Sequence, residues 1–503
     1  MSTYVETQPV APTTGWRRVF GDWLVVGSAT TVCHALGAVT SLWLRMALSP
    51  AQMGVWQAAK LLLSYGNYAN LGISKGAARE FNVALGRGDT QAARHGLKLA
   101  FTVNTLSSLL YAAVLLGAAV LIGRQGTDGW DNSWSLALAS AAVLAVVSRY
   151  VTFHVTILRS GQAFAATSRL SLLEAVLTLA VAGSAAWLWG LPGLYAGTLI
   201  VLLGSMFFVR RHALATLRFA WDPAEMRRLI AIGGPILLAG TVGSLLRSLD
   251  KLMILAYLSD RAFQLGCYSV SLMVTAQLFG LGNMLSLVTG PRYGEAFGRS
   301  NDRAAVARLA ARATELHAAA LALPAALALV AGPPILVRLL PDYQSGLPPL
   351  VWLVPGVFAL CLALPASQYL VAVGRQRRAL SAVIVATIVA ALGNHAALVA
   401  GYGLVGVATA TCAAYGVYFV LVVALSLWPE LDAAARLRYV AMVALGALPT
   451  LGVALAMVHT PAAERWDLPA VRLLIVLGVW VLTVAIGWHH GGWKTAMSDR
   501  PVS

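Results

Sequence analysis

The sequence predicts an all-α polytopic membrane protein with about 14 transmembrane helices. The first observation behind this prediction is composition: 59% of the 503 residues are hydrophobic, 11% are charged and the mean hydropathy is +0.74. The second is that the apolar residues form successive runs of about 20, the length that crosses a bilayer. The third is that Lys and Arg are concentrated in alternate gaps between those runs. The runs fill the chain and leave no room for a separate soluble catalytic domain.

Charges, prolines and glycines bound the predicted spans. The run 22–48 is interpreted as a membrane helix because it is too long for the core of a secretory signal and lacks a small-residue cleavage motif. The predicted spans are, in chain order, 22–48, 52–73, 98–123, 134–158, 170–190, 192–209, 230–258, 263–289, 313–339, 347–373, 379–401, 403–428, 439–459 and 470–489.

Basic residues set the predicted topology. With the N-terminus inside, 26 of the 36 Lys and Arg residues fall in inner segments, five fall in outer segments and five lie within spans. Cytoplasmic loops collect Lys and Arg, so this alternation favours an even number of spans and two cytoplasmic termini. The formal net charge of +16 therefore reflects membrane topology, and nucleic acid is not a predicted partner. Segments 75–97 and 290–312 are expected to be cytoplasmic and partly helical.

Motifs for catalysis or metal binding are missing from the sequence. Cys33, Cys267, Cys361 and Cys412 lie in apolar runs without CxxC spacing or a Cys/His pair, so we expect them to be packing residues. No P-loop, HExxH or GxSxG motif stands at a usable position. We therefore expect no cofactor, no metal site and no enzymatic activity.

The sequence repeats itself at one offset. Gly54 in a Gly-Val-Trp sequence corresponds to Gly266 in Gly-Cys-Tyr, and Gly86 corresponds to Gly298, both 212 residues later. Six predicted spans separate equivalent positions, and an even number keeps the two halves in the same orientation. The sequence therefore predicts two parallel six-helix lobes, related by a pseudo-twofold axis along the membrane normal, and two additional C-terminal helices.

The repeat also divides the chain into predicted domains. The ranges are a cytoplasmic N-terminal segment at 1–21, an N-terminal six-helix lobe at 22–209, a basic cytoplasmic linker at 210–229, a C-terminal six-helix lobe at 230–428, two additional transmembrane helices at 429–489 and a cytoplasmic tail at 490–503.

Several short sequences resemble those of a known family. Residues 48–89 contain Gly-Val-Trp, then Asn-Leu-Gly at 70–72 and Gly-Arg-Gly-Asp at 86–89, and the second half contains Leu-Asp-Lys at 249–251. These sequences resemble bacterial polysaccharide-export flippases, the Wzx-like lipid-linked oligosaccharide translocases of the multidrug/oligosaccharidyl-lipid/polysaccharide (MOP) exporter superfamily. The family's general pattern, twelve to fourteen helices in two six-helix lobes, covers essentially the whole chain. Asn70 departs from it, since the family often carries Asp at this position, and no role of that acid is carried over.

The resemblance implies a function and a location. It implies alternating-access transport of an undecaprenyl-pyrophosphate-linked oligosaccharide across the bacterial cytoplasmic (inner) membrane, for cell-surface polysaccharides such as lipopolysaccharide O-antigen or exopolysaccharide. The implied partners are this lipid-linked glycan, membrane lipids and the polysaccharide polymerase machinery. The coupling ion is left open between H⁺ and Na⁺.

Charges inside the predicted spans are candidates for function, because a charge near the bilayer centre costs about 2.5–3.5 kcal/mol on insertion scales. Five bases and two acids are identified in this way: Arg45, Lys60, Arg149, Arg247, Lys251, Glu174 and Asp250. The excess of bases favours an anionic substrate group. It argues against the alternative function, a cation-coupled multidrug exporter, in which acids hold cationic drugs.

Individual roles follow from predicted depth and helical spacing. Lys60, Arg247 and Lys251 are predicted to bind the pyrophosphate in one hydrated cavity, with Arg45 either guarding its outer rim or extending to the interface. Arg247 and Asp250 are three residues apart on one helical face and are interpreted as a structural or coupling ion pair that leaves Lys251 free.

Arg149 and Glu174, on adjacent antiparallel spans, are interpreted as a second structural or coupling pair. The remaining polar candidates are histidines, expected to be packing or hydrogen-bonding residues, and amides that bind sugar hydroxyls or join helices. They are His34, His154, His317, His395, Asn67, Asn70, Asn104, Asn283, Gln277 and Gln368.

Overall fold

The computed structural model describes residues 16–87, 89–125, 132–161, 163–212, 218–459 and 469–489. Most of the predicted N-terminal segment 1–21, parts of the predicted outer loops (126–131 and 460–468), part of the predicted linker (213–217) and the predicted tail 490–503 lie outside the described residues.

The described residues form helices and no β-strand, which confirms the predicted all-α class. The helices are α1 (Trp16–Ala47), α2 (Pro50–Gly66), α3 (Ile73–Gly86), α4 (Thr90–Gln125), α5 (Asn132–Ser160), α6 (Phe164–Leu177), α7 (Ser184–Arg211), α8 (Pro223–Leu246), α9 (Leu249–Tyr257), α10 (Arg261–Ser300), α11 (Arg303–Val330), α12 (Gly332–Leu339), α13 (Leu350–Ala372), α14 (Gln376–Val399), α15 (Gly403–Ser426), α16 (Ala433–His459) and α17 (Pro469–His489). A π-helical turn (Thr178–Gly183) joins α6 to α7, and 3₁₀ turns lie at Pro341–Gly346 and Trp428–Glu430.

Eleven helical stretches among the described residues are long and apolar enough to cross a membrane. One of them, Ala165–Arg211, is 47 residues long and breaks at Gly190, where φ is +63° and ψ is −142°. Only glycine adopts such angles readily. The break at Gly190 coincides with the predicted boundary between spans 170–190 and 192–209. The α2 helix has 17 residues and is shorter than the roughly 20 that usually cross a bilayer. The count of 14 spans remains a prediction.

Two predicted spans are interrupted. Span 52–73 ends at Gly66, and a series of turns leads to α3. The Asn70 side chain accepts a hydrogen bond from the Gly72 backbone N–H (3.1 Å), and Leu71 and Gly72 both have positive φ. Span 230–258 consists of α8 and α9, which are separated at Arg247 and Ser248.

Helix boundaries repeat along the chain at the predicted offset. Helices α5 and α13 end at Ser160 and Ala372, and α6 and α14 begin at Phe164 and Gln376, each pair 212 residues apart. The structure separates into two compact units between Thr241 and Val242, inside α8. The predicted domain ranges, and the relation of the two predicted lobes in space, remain predictions.

The first unit contains a close helix contact made by glycines. Helices α3 and α8 approach so closely that a Cβ atom on Gly76 would lie 2.1 Å from the Leu229 carbonyl oxygen, and one on Gly233 would lie 2.0 Å from that of Gly72. Membrane helices use small residues to bring backbones together in this way. Ile73 and Leu229, both fully buried, lie in the core cluster beside this contact.

The second unit has an alanine-rich core. Helix α11 packs against α10, α13 and α16, and Ala318, Ala322, Ala325 and Ala326 on it are fully buried. Helices α16 and α17, the two predicted additional helices, both pack on α11.

The four cysteines are free thiols within apolar surroundings. Cys267 and Cys361 are fully buried, while Cys33 and Cys412 are partly buried. Cys412 contributes to packing directly, because a Cβ on Gly356 would lie 2.7 Å from its Cα. These positions agree with the expected packing role.

The α3–α8 contact gives a stability prediction. We expect Gly76→Ala to destabilise the purified protein by about 1–3 kcal/mol, because the added methyl meets backbone that cannot rotate away. The matched control is Gly117→Ala in α4, where a Cβ meets nothing within 4 Å. It is expected to be neutral or stabilising by up to about 1 kcal/mol. Thermal unfolding in detergent measures both, and equal midpoints for the two variants would contradict the contact.

Candidate functional site

The seven charged residues predicted within spans fall into two groups. Arg45, Lys60, Arg149 and Glu174 belong to the first unit, on α1, α2, α5 and α6. The others, Arg247, Asp250 and Lys251, belong to the second unit, around the break between α8 and α9.

Asp250 is the centre of the second group. Its side chain is 2% exposed, and its Oδ1 accepts hydrogen bonds from the Lys251 backbone N–H (2.8 Å) and the Lys251 Nζ (3.1 Å). The Tyr268 hydroxyl donates to the other oxygen, Oδ2, at 3.1 Å. Lys251 Nζ also donates to the Arg247 carbonyl oxygen at 2.7 Å. Lys251 therefore neutralises the buried Asp250 carboxylate and also hydrogen-bonds to the backbone immediately after the C-terminal end of α8.

The predicted Arg247–Asp250 pair is wrong. Asp250 pairs with Lys251, so Lys251 is not the free charge. The prediction assumed one continuous helix, but the chain leaves helical geometry at Ser248, where φ is −126° and ψ is −3°. Arg247 is instead exposed and lies over the Phe279 ring, with its Cζ atom 5.7 Å from the ring centroid.

The surroundings of Asp250 are polar as well as buried. Helix α9 packs against α14 and α15. Thr411 and Tyr415 on α15 are buried near Tyr268 and Asp250. The acid is therefore enclosed by groups that can accept or donate hydrogen bonds.

In the first unit, Arg45 and Lys60 differ in exposure. Arg45, in the last turn of α1, is 4% exposed, and its Nη1 donates to both the carbonyl and the hydroxyl oxygen of Ser41 at 2.7 Å. The side chain therefore turns back along its own helix and does not extend outward as the interfacial alternative requires. Lys60 is exposed, and its Nζ lies 6.0 Å from the centroid of the Trp56 ring.

The predicted Arg149–Glu174 pair is also wrong. Arg149 is 2% exposed and its Nη2 donates to Ser107 Oγ (2.8 Å) and Asn104 Oδ1 (3.4 Å), both on α4. Glu174 is partly buried and lies near Ser205 and Arg159. The prediction relied on sequence adjacency of the two spans, whereas α5 directs Arg149 towards α4, its main packing partner.

Four of the polar candidates, two amides and two histidines, serve the fold. Asn70 and Asn104 bond to each other (3.4 Å) and are buried, so they are not available to a sugar. His154 bonds to the Tyr150 carbonyl oxygen (2.9 Å), and His317 bonds to that of Ala313 (2.7 Å), as expected of packing histidines. His395 differs, because it is exposed and bonds to the Tyr257 hydroxyl at 2.9 Å.

The sequence did not identify Tyr268 and Glu315, two buried residues that contact charged side chains. Tyr268 gave no signal beyond its place in the repeated Gly-Cys-Tyr sequence, and its role depends on the tertiary contact with Asp250. Glu315 lies at the start of the predicted span 313–339 and could have been counted; it is 3% exposed, with Oε2 3.7 Å from Arg438 Nη2. Among the described residues, no group of three or more His, Cys, Asp or Glu side chains could hold a metal ion.

Comparisons with known proteins give a family and a fold. The family model "Polysaccharide biosynthesis protein" matches residues 45–341, more than half of the chain. The solved structure "Lipid II flippase MurJ, inward closed conformation" has a TM-score of 0.70 at 13% identity, covering 93% of this chain and 99% of that chain. No curated protein matches the sequence.

Two further solved structures share the fold. An inward-facing multidrug resistance MATE family transporter of the MOP superfamily has a TM-score of 0.59 at 14% identity, covering 83% of this chain and 98% of that chain. A MOP superfamily transporter from Pyrococcus furiosus has a TM-score of 0.56 at 14% identity, covering 83% and 94%. The family model thus confirms the predicted resemblance to polysaccharide-export proteins, and the three solved structures show that the fold is shared.

The Asp250–Lys251 pair gives a second stability prediction. We expect Lys251→Gln to destabilise the protein by about 2–3 kcal/mol, because the buried carboxylate loses its charged partner. Arg247→Gln, the matched control at the same break, should change stability by no more than about 0.5 kcal/mol. In the Asp250→Asn background, Lys251→Gln should cost less, since the acid is no longer charged.

Thermal unfolding of the four variants and the wild type in detergent checks this. A Lys251→Gln cost that is equal in the wild-type and Asp250→Asn backgrounds would show that the pair is not coupled.

Proposed function

The chain belongs to the polysaccharide biosynthesis protein family, and from this premise we propose that it is a flippase for a polyprenyl-pyrophosphate-linked oligosaccharide. The fold that it shares with MOP-superfamily transporters supports transport by alternating access. The proposed setting is the bacterial inner membrane, with both termini in the cytoplasm.

The observation that carries the proposal is the sign of the accessible charge. Of the ionisable side chains predicted within spans, Lys60 and Arg247 are exposed, and both are cationic. The acids are less accessible: Asp250 is buried and paired with Lys251, and Glu174 is partly buried. Accessible cations without accessible acids favour an anionic substrate group such as a diphosphate.

We assign the four predicted substrate-binding bases two kinds of role. Lys60 and Arg247 are the proposed contacts of the diphosphate, because both side chains are exposed. Arg45 and Lys251 are positioning residues, because their nitrogen atoms bond to Ser41 and to Asp250 and the Arg247 carbonyl oxygen. Lys251 thereby fixes the backbone from which the Arg247 side chain extends.

The energetics favour outward movement of this substrate. Two negative charges that move outward across an inside-negative membrane gain about 2.3 kcal/mol per charge per 100 mV. The polyprenyl tail stays in lipid, so only the head group and sugars leave water. H⁺ and Na⁺ remain the two candidate coupling ions, and the polymerase machinery remains a proposed partner that uses the translocated glycan.

The enzyme and drug-exporter alternatives have less support. The family is one of polysaccharide biosynthesis, and the sequence has no P-loop, HExxH or GxSxG motif at a usable position. A cation-coupled multidrug exporter would need accessible acids to hold cationic drugs, which the exposed Lys60 and Arg247 do not provide.

Gene deletion tests the proposed substrate. We expect an undecaprenyl-pyrophosphate-linked glycan to accumulate, because synthesis continues while export stops, and mass spectrometry of the lipid fraction measures it. No accumulation together with reduced efflux of a cationic dye would establish the exporter instead.

Complementation of the deletion tests the proposed residue. Arg247→Gln should lose most glycan export at unchanged protein abundance, while Arg247→Lys should retain more because it keeps the charge. The matched control is Arg377→Gln, which removes an exposed arginine of the second unit at the predicted inner end of α14. Equal export by Arg247→Gln and Arg377→Gln would exclude Arg247 from the substrate site.

A further inference from the structure

Arg149 is a buried charge that the proposed transport function does not use. It lies on α5, its side chain is 2% exposed, and it is the largest fully buried side chain among the residues that the structure describes. A charged group removed from water needs a counter-charge and a full set of hydrogen bonds, or it destabilises the fold by several kcal/mol.

Only one of the three guanidinium nitrogens has partners. The two N–H groups of Nη2 are used by Ser107 Oγ at 2.8 Å and Asn104 Oδ1 at 3.4 Å. Nε and Nη1 are buried and have no hydrogen-bond partner. Because Nε carries one proton and Nη1 carries two, three charged N–H groups lack an acceptor.

The chain supplies polar neighbours but no counter-charge. Asn104 (5% exposed) bonds to the guanidinium from α4, and Asn70 (8%) bonds to Asn104 from the turn before α3. Within the described parts of the chain, no carboxylate forms an ion pair with Arg149, and Glu174, the acid predicted from sequence, is not among its partners. The neighbouring Tyr111 hydroxyl is engaged with the Leu62 carbonyl oxygen at 2.8 Å.

We propose that the centre formed by Arg149, Asn104 and Ser107 binds a small inorganic monovalent anion of the halide class. A monovalent anion matches the single positive charge, and a small one suits a group that is 2% exposed. Water can accept hydrogen bonds from Nε and Nη1, but it leaves the charge uncompensated. A halide accepts from several N–H donors and supplies the counter-charge.

The centre connects three elements of the first unit. Arg149 joins α5 to α4, and the amide of Asn104 donates to the Arg149 carbonyl oxygen at 3.5 Å. Asn70 extends the network to Ser74 Oγ at 2.9 Å and to the Gly72 backbone. An anion bound at Arg149 therefore stabilises the α4–α5 contact and the turn between α2 and α3. A ligand that binds the folded state alone raises the unfolding temperature, and above its Kd the stabilisation grows with the logarithm of the ligand concentration.

Thermal unfolding of the full-length protein in detergent tests the site. The protein is titrated with sodium chloride or sodium bromide against sodium gluconate at constant ionic strength. We expect the unfolding midpoint to rise with the logarithm of the chloride or bromide concentration and to stay unchanged in gluconate. In Arg149→Gln the halide concentration that gives the same rise should be at least about tenfold higher, because a charged donor set is lost.

A matched variant and a second measurement separate specific binding from salt effects. Arg159→Gln removes an exposed arginine from the same helix and should keep the wild-type halide response. In crystals grown in bromide, the wild-type protein should show an anomalous peak in contact with Nε or Nη1 of Arg149, a result that requires no variant to fold. An unfolding midpoint that rises equally in gluconate and in chloride would overturn the proposal. Electron density beside Arg149 that gives no anomalous signal in bromide would overturn it as well.

Discussion

A charge within a membrane-spanning helix must be neutralised by the chain or remain in contact with water, and this constraint organises the molecule. Asp250 shows the first solution, because a lysine, a tyrosine hydroxyl and a backbone N–H enclose it. Lys60 and Arg247 are assigned the second in the proposed function, since both are exposed and each lies beside an aromatic ring. Arg149 satisfies neither condition through the chain alone, and a bound anion would complete its surroundings.

Interruptions of the helices make these arrangements possible. The break at Ser248 frees the Arg247 carbonyl oxygen, which accepts from Lys251, and directs the Arg247 side chain to an exposed position. The turn before α3 works similarly, because Asn70 satisfies the Gly72 backbone and also bonds to Asn104. Polar side chains thus replace the backbone hydrogen bonds that a continuous helix would make. The same residues then hold the charged groups in place.

The sequence predicted the helices well because apolar runs and breakers act locally. Gly190 separates two predicted spans because glycine adopts the non-helical backbone angles found there. The repeated glycines at a 212-residue offset agree with the repeated helix boundaries. The ion pairs could not be predicted in this way. Pairing Arg247 with Asp250 assumed a continuous helix, and pairing Arg149 with Glu174 assumed that neighbouring spans place their charges face to face. Both depend on tertiary geometry that one sequence does not report.

The central claim is that the exposed cations select a diphosphate-linked glycan, and reconstitution tests it most directly. Proteoliposomes would carry a fluorescent glycan attached to a polyprenol through a diphosphate or, in parallel, through an uncharged linkage. A membrane-impermeant quencher reports the leaflet that each lipid occupies. We predict that the protein exposes the inner-leaflet pool of the diphosphate-linked glycan and leaves that of the uncharged analogue protected. Equal movement of both lipids, or movement of neither, would contradict the account.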